Sequence, residues 1–210
     1  MKTTKQYWRG RVVAVQPRIR LLRTHSQRQH NYLGYVLHVQ GTIDGREGEF
    51  SIGIGKGAQE KQQFRAGDTV KGQSLPVQDS RTDTAEYYKT SGLKIEGRAV
   101  KKPAAPPPWT GTPPALETCR ERGHRRLSPE VYAASCLQCI WGCRMPVEIT
   151  LDYRNPGEKA YRFETFCYGP KSCSAYKPGP NRTVPGRGDA FWVEPDRVDA
   201  EATEHRGADE

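Results

Sequence analysis

The sequence lacks a long hydrophobic run. No stretch approaches the ~18 apolar residues that cross a bilayer, and the first residues, MKTTKQYWRGRVVAV, contain no apolar segment of signal-peptide length after their charges. These absences predict a cytoplasmic protein without a membrane partner. Hydrophobic residues make up only 35% of the chain and mean hydropathy is −0.82, so the apolar side chains suffice for two small cores rather than one large core.

Acidic residues are absent from the first 43 positions. Residues 1–100 carry 17 Lys and Arg against 9 Asp and Glu, whereas residues 151–210 carry 9 against 11, and the net charge is +9. A charge excess of one sign attracts polyanions, of which nucleic acid is the commonest. An acidic protein partner and a simply solvated basic face are the alternatives. Eight basic residues precede Asp44: Lys2, Lys5, Arg9, Arg11, Arg18, Arg20, Arg23 and Arg28.

A proline-rich stretch divides the chain. Residues 101–115, KKPAAPPPWTGTPPA, contain six prolines within twelve positions, which excludes helix and sheet interior and favours an extended linker. We therefore expect a basic domain over residues 1–100 and a cysteine-rich domain over residues 116–195. The last residues, 196–210, are polar and acidic and are typical of a loosely ordered tail.

The first domain has apolar residues at the period of β-strands. Five strand candidates follow one another: WRGRVVAVQPRIRLL, YVLHVQGTI, EFSIGIG, DTVKGQSLPV and GLKIEGRAV. The only good helix former, KGAQEKQQF, lies between the third and fourth candidates. Five short strands with one helix at that place resemble an OB-fold, over roughly residues 5 to 100. A small SH3-like barrel remains the alternative.

The OB resemblance implies a binding surface on the second and third strands and on two loops, residues 23–31 and 77–91. Cations in these loops suit phosphates, and aromatic faces can stack on unpaired bases. One of the paired tyrosines, Tyr87 or Tyr88, could instead belong to the core. The sequence therefore predicts binding of single-stranded DNA or RNA by these residues: Arg18, Arg20, Arg23, Arg28, Tyr32, Arg81, Tyr87, Tyr88 and Lys89.

Cysteines cluster in the second half, in SCLQCIWGCRMP (135–146) and FCYGPKSCSAY (166–176). In a cytosolic protein such clusters bind metal more often than they form disulfides. Cys136 and Cys139 have the spacing of a metal knuckle, and a predicted β-hairpin, PVEITLDY to AYRFETFC, returns Cys167 towards it, with Cys173 six residues later. This arrangement resembles a zinc ribbon, which implies a closed structural Zn²⁺ site of four thiolates.

The cysteine pattern departs from a zinc ribbon in two ways. The second pair is spaced Cys-x5-Cys, and Cys143 is a fifth cysteine. A [4Fe–4S] cluster on Cys136, Cys139, Cys143 and one distant cysteine is therefore the alternative cofactor. Cys119 and His124 stand apart in sequence but could replace one ligand. The candidate metal ligands are Cys136, Cys139, Cys143, Cys167 and Cys173.

Together these patterns predict a mainly β protein. A small five-stranded OB-like barrel with one short helix is joined by the Pro-rich linker to a metal-stapled, ribbon-like β-hairpin domain. The predicted function is nucleic-acid binding with a structural metal site. No local signature of a cysteine nucleophile or of a zinc deaminase is present, which favours a protein without catalytic activity. The alternatives are an iron–sulfur protein with redox or nucleic-acid-processing activity, and a scaffold that binds an acidic protein.

Overall fold

The computed structural model describes residues 4–100 and 107–207. The start of the predicted linker, residues 101–106, and the ends of the chain, residues 1–3 and 208–210, lie outside the described residues. The protein is mainly β, with 49% strand and 16% helix, which confirms the predicted class. Among the described residues, no helix is long and apolar enough to cross a membrane.

The first half contains five strands and one α-helix. The strands are β1 (Gln6–Arg23), β2 (Arg28–Ile43), β3 (Arg46–Ile54), β4 (Thr69–Pro76) and β5 (Tyr87–Gly97). Helix α1 (Lys56–Gln62) lies between β3 and β4, where the sequence predicts it, and a 3₁₀ turn spans Ser80–Thr82. All five predicted strands are present because their alternating apolar residues form one buried face.

The second half is built around a long β-hairpin. Its elements are α2 (Leu116–Arg122), β6 (Arg125–Arg126), α3 (Pro129–Val131), a π-helical turn (Tyr132–Cys136), β7 (Gly142–Asp152), β8 (Asn155–Cys167), β9 (Arg182–Pro185), β10 (Phe191–Glu194) and α4 (Arg197–Thr203). Strands β7 and β8 pair antiparallel around a two-residue turn at Tyr153 and Arg154. Strands β9 and β10 form a separate two-stranded sheet.

Eight strands form one sheet in the order β2-β3-β5-β4-β1-β7-β8-β6, and β1 also pairs with β2. In the first half, the pairing path β1-β2-β3-β5-β4 therefore returns to β1. Strands β3 and β5 meet in parallel at a single pair, Ile52 with Tyr87. The second half joins the sheet through β1, whose residues Leu21–Arg23 pair in parallel with Val147–Ile149 of β7.

Two hydrophobic cores lie on either side of this junction, and β1 contributes to both. Trp8, Val12 and Val15 of β1 belong to the core of the first half. Ile19 and Leu21, farther along the same strand, belong to the core formed with β7 and β8. Strand β1 is therefore part of the core of both halves.

Gln16 lies between these cores and is itself buried. Its amide nitrogen donates to the carbonyl oxygens of Cys136 (2.9 Å) and Cys139 (2.8 Å), and its amide oxygen accepts from the Tyr132 hydroxyl (2.7 Å). Buried polar groups without such partners are costly. One side chain of β1 thus satisfies the backbone of the Cys136–Cys139 turn.

We predict that Gln16→Met destabilises the protein by about 1–3 kcal/mol, because it preserves volume but removes one hydrogen bond from each of two carbonyls and leaves the buried Tyr132 hydroxyl unpaired. Urea unfolding measures the change. The matched control is Gln40→Met, at an exposed position of β2, which should shift the free energy of unfolding by less than about 0.5 kcal/mol. Equal small effects of the two substitutions would show that Gln16 does not connect the halves.

Candidate metal centre and nucleic-acid surface

A tight turn presents the first two cysteines of the cluster. Ser128 caps the short helix α3, accepting from the Val131 backbone N–H, and Pro129 occupies its first turn. The chain then passes through the π-helical turn to Cys136. The Cys139 backbone N–H donates to the Cys136 carbonyl at 3.0 Å, and the Gly142 N–H donates to the Cys139 carbonyl at 3.1 Å. These bonds form the knuckle from which β7 begins.

The hairpin returns a third cysteine to this knuckle. Cys167, the last residue of β8, pairs with Gly142, the first residue of β7, and it packs in one buried cluster with Cys136 and Cys139. Cys173 lies in the turn after β8, where its N–H donates to the Pro170 carbonyl. Three of the five predicted ligands therefore pack together, and a fourth follows in the next turn of the chain.

Cys143 belongs to a different environment. It is fully buried in the core of β1, β7 and β8 together with Cys119, and its thiol donates to the Pro17 carbonyl at 3.3 Å. The ring of His124 packs on Phe166, with 4.5 Å between ring centroids. Cys119 and His124 lie outside the buried cluster of Cys136, Cys139 and Cys167.

Opposing effects act on the pKa values of the three clustered thiols, those of Cys136, Cys139 and Cys167. Burial raises the pKa of Cys136 to about 12, and the neighbouring cysteines add to that rise. Burial also raises the pKa of Cys139 and Cys167. Backbone N–H groups oppose the rise at both: those of Trp141 and Gly142 at Cys139, and that of Gly169, 3.4 Å from the Cys167 sulfur.

These N–H donors favour the thiolate form once a cation balances its charge. In the part of the chain that the structure describes, however, no three His, Cys, Asp or Glu side chains are arranged as a group that could hold a metal ion. All six cysteines are free thiols, and Cys173 alone is not fully buried. The cluster therefore has the residues of a four-thiolate site without its compact geometry.

The five predicted nucleic-acid-binding arginines form ion pairs within the chain. Arg18 Nε lies 2.8 Å from Asp83 Oδ1, Arg20 pairs with Glu148, and Arg81 lies 2.9 Å from Asp79. Glu194 of β10 pairs with both Arg23 (3.2 Å) and Arg28 (2.8 Å). Asp79 and Asp83 belong to the first half, whereas Glu148 and Glu194 belong to the second, so the ion pairs of Arg20, Arg23 and Arg28 connect the halves.

The predicted aromatic residues and lysine also have intramolecular contacts. The guanidinium of Arg120 lies 4.7 Å from the centre of the Tyr32 ring, and the Lys89 ammonium lies 5.1 Å from that of Tyr88. Tyr87 packs edge-to-face on Phe50 at 6.4 Å and is partly buried against the first core. Of the paired tyrosines, Tyr87 is the one that packs on this core.

Both predicted loops contact the second half. The Thr84 hydroxyl donates to the Arg144 carbonyl of β7 at 2.7 Å, and the Arg81 guanidinium lies 4.4 Å from the ring centre of Tyr161 on β8. The turn at residues 24–27 lies beside Thr150 of β7. Five of the nine residues predicted for nucleic acid, Arg20, Arg23, Arg28, Tyr32 and Arg81, therefore contact the second half. The role of all nine in binding stays a prediction.

A second cationic surface was not predicted from the sequence. Arg11 of β1 and Arg65 line a cleft of about 620 Å³ together with Gln40, Gln138 and Thr110, and none of the residues that line it is acidic. We call it the basic groove. Arg11 stands in the basic N-terminal run, but its position on a strand gives no local sign of a ligand. Arg65 is brought beside it only by the fold.

No protein-family model, curated protein or solved structure matches this chain. We therefore infer function from the side chains that the fold brings together.

We predict that Arg23→Met destabilises the protein by about 2–4 kcal/mol, because it leaves the buried Glu194 carboxylate with fewer cations. The control is Arg46→Met, an exposed arginine at the start of β3, which should change the free energy of unfolding by less than about 0.5 kcal/mol. Thermal and urea unfolding of both variants measure the difference. If Arg23→Met is as stable as Arg46→Met, the ion pair with Glu194 does not stabilise the contact between the halves.

Proposed function

We propose that this chain is a nucleic-acid-binding protein with a preference for single strands, and that a structural zinc ion fixes its second half. The pairing order β1-β2-β3-β5-β4 and back to β1, with α1 between β3 and β4, carries the binding proposal. We interpret these five strands as an OB-like barrel, the arrangement that the sequence resemblance implies. Barrels of this class commonly bind oligonucleotides.

The basic groove supports contact with the phosphate backbone. The arginines of the predicted loops would have to leave carboxylate partners before they could bind phosphate, and Arg23 would have to leave a buried one. Arg11 and Arg65 line a cleft whose lining residues include no Asp or Glu. Arg65 lies 3.8 Å from the buried Asp68 carboxylate and donates to the Ala99 carbonyl. Arg11 forms no ion pair among the described residues and is the better placed of the two to bind phosphate. Amides and a hydroxyl from Gln40, Gln138 and Thr110 add further donors there. We therefore place the main phosphate contacts in the basic groove.

For the metal, we propose Cys136, Cys139, Cys167 and Cys173 as the four ligands. Four thiolates are a common donor set for structural zinc, at Zn–S distances of ~2.3 Å, and the N–H groups directed at Cys139 and Cys167 suit thiolate sulfurs. Bound zinc would attach the loop after β8 to the knuckle before β7. Its binding energy would then contribute directly to folding.

Zinc is favoured over a [4Fe–4S] cluster by the position of Cys143. The cluster alternative uses Cys136, Cys139 and Cys143 from one loop. The Cys143 thiol instead donates to the Pro17 carbonyl from within the other core. Recruitment of Cys143 as a ligand would require that core to open.

We predict that protein purified without oxygen contains one zinc per chain, and that Cys136→Ser and Cys173→Ser each release it. Cys143→Ser, the matched control, should keep the metal because its sulfur lies outside the cluster. Elemental analysis gives the metal content, and absorption near about 400 nm reports iron–sulfur clusters.

Two outcomes would contradict the metal assignment. One is a full zinc content in Cys173→Ser, and the other is iron in the wild-type protein that Cys143→Ser removes.

We predict that the protein binds a single-stranded oligothymidylate of about 12 nucleotides with an affinity that falls steeply with salt. Each neutralised phosphate contributes a slope of roughly −0.7 in a plot of log affinity against log salt. Arg11→Gln should weaken binding and reduce the magnitude of that slope by about 0.7. Fluorescence anisotropy between about 50 and 200 mM salt measures both quantities.

The matched control is Arg197→Gln, an exposed arginine on α4, which should leave the slope unchanged. Absence of binding to single-stranded DNA and RNA at low salt would overturn the proposed function. Equal loss of slope in the two variants would indicate diffuse attraction to a basic protein rather than binding in the groove.

A further inference from the structure

Three hairpin tips converge at the end of the molecule where β1 meets β2. They are the β1–β2 turn at residues 24–27, the β7–β8 turn at residues 152–154, and the β9–β10 loop at residues 186–190. Together they surround a cleft of about 430 Å³, which we call the tip cleft. Its volume falls within the ~300–1,000 Å³ typical of small-ligand sites.

The lining of the tip cleft is divided between apolar and polar groups. Leu151, Tyr153 and Ala190 supply apolar surface, whereas Ser26 and Gln27 supply a hydroxyl and an amide. Flat rings with polar edges, such as nucleobases, satisfy both kinds of surface at once. An aliphatic side chain would cover the apolar part but leave the polar groups without partners.

Two aromatic side chains at this end of the molecule are unusually exposed. Tyr153, in the two-residue turn between β7 and β8, is 76% exposed, and Phe191, which follows Ala190 of the cleft, is 68% exposed. Large aromatic residues normally bury most of their surface. Exposed aromatic residues at a cleft are typical of binding sites, where bases can stack on them.

Guanidinium groups flank the same tyrosine. Arg154 Nε donates to the Tyr153 hydroxyl at 3.0 Å, and the Arg154 guanidinium lies 5.5 Å from the ring centre. Arg187, on the opposite tip, is 72% exposed and lies 3.4 Å from Asp152. Asp152 also accepts from the Arg154 backbone N–H at 2.9 Å, so one carboxylate contacts both the Arg187 side chain and the turn that carries Arg154. Their remaining donors can reach phosphate oxygens beside a base in the cleft.

We propose that the tip cleft takes one unstacked base of a bound single strand. Tyr153 stacks on the base, Ser26 and Gln27 bind its polar edge, and Arg154 and Arg187 bind the phosphates on either side. The inference rests on the proposed function, and it adds a base-binding site distinct from the basic groove. Because stacking accepts any base, sequence preference at this site is weak.

The test uses the full-length protein and single-stranded oligothymidylate of about 12 nucleotides. We expect Tyr153→Ala to weaken binding roughly 5- to 150-fold, because this range corresponds to the loss of one stacked base. Tyr153→Phe, which keeps the ring, should stay within about twofold of the wild type. The matched control is Tyr7→Ala, an exposed tyrosine at the other end of β1, which should bind as the wild type does.

Circular dichroism establishes that each variant is folded, and photo-crosslinking gives an independent readout. A strand that carries 5-iodouracil should crosslink to the peptide that contains Tyr153 or to the one that contains Phe191. Crosslinks to Tyr32 or Tyr88 alone would show that the base does not bind in the tip cleft.

Separate outcomes distinguish this inference from the proposed function. If the wild type binds and folded Tyr153→Ala binds equally well, the tip cleft is wrong and the basic groove is unaffected. If the wild type binds no single-stranded nucleic acid at low salt, both proposals are wrong.

Discussion

Strand β1 is the element on which the rest of the structure depends. Its 18 residues pair with β2 along most of their length, with β4 over Gln6–Arg11, and with β7 over Leu21–Arg23. The same strand places apolar side chains in both cores and the Gln16 amide between them. Hydrogen bonds from Gln16 of β1 therefore connect the Cys136–Cys139 knuckle to the first half.

Charged side chains form ion pairs between the two halves, which the net charge of the chain does not reveal. The first half has an excess of cations and residues 151–210 have an excess of acids, so these two segments carry net charges of opposite sign. Glu194 shows the result: it is buried and contacts Arg23, Arg28 and Arg182. Several arginines that resemble a polyanion site in the sequence thus have partners within the chain. Arg11 at the basic groove forms no ion pair among the described residues, and Arg187 at the tip cleft is exposed although it pairs with Asp152, so both are better placed to meet a ligand.

The sequence predicted local structure well and long-range pairing poorly. The period of apolar residues located all five strands of the first half, helix α1, and the β7–β8 hairpin that returns Cys167 to the knuckle. It could not predict that β1 also pairs with β7, because no local pattern specifies a distant partner strand. For the same reason the sequence could not show whether Cys143 or Cys173 is the better candidate ligand. Cys143 lies near the start of β7, and the register of β7 against β8 and β1 decides which core its side chain faces.

Hydrogen exchange tests most directly the claim that β1 couples the proposed zinc site to the first half. The zinc-loaded protein is compared with the same protein after treatment with a chelator. We expect faster exchange in residues 136–173 and also in residues 19–23 of β1, because β7 can no longer hold its parallel pairing with that strand. Faster exchange confined to residues 136–173, with β1 as protected as before, would contradict the account.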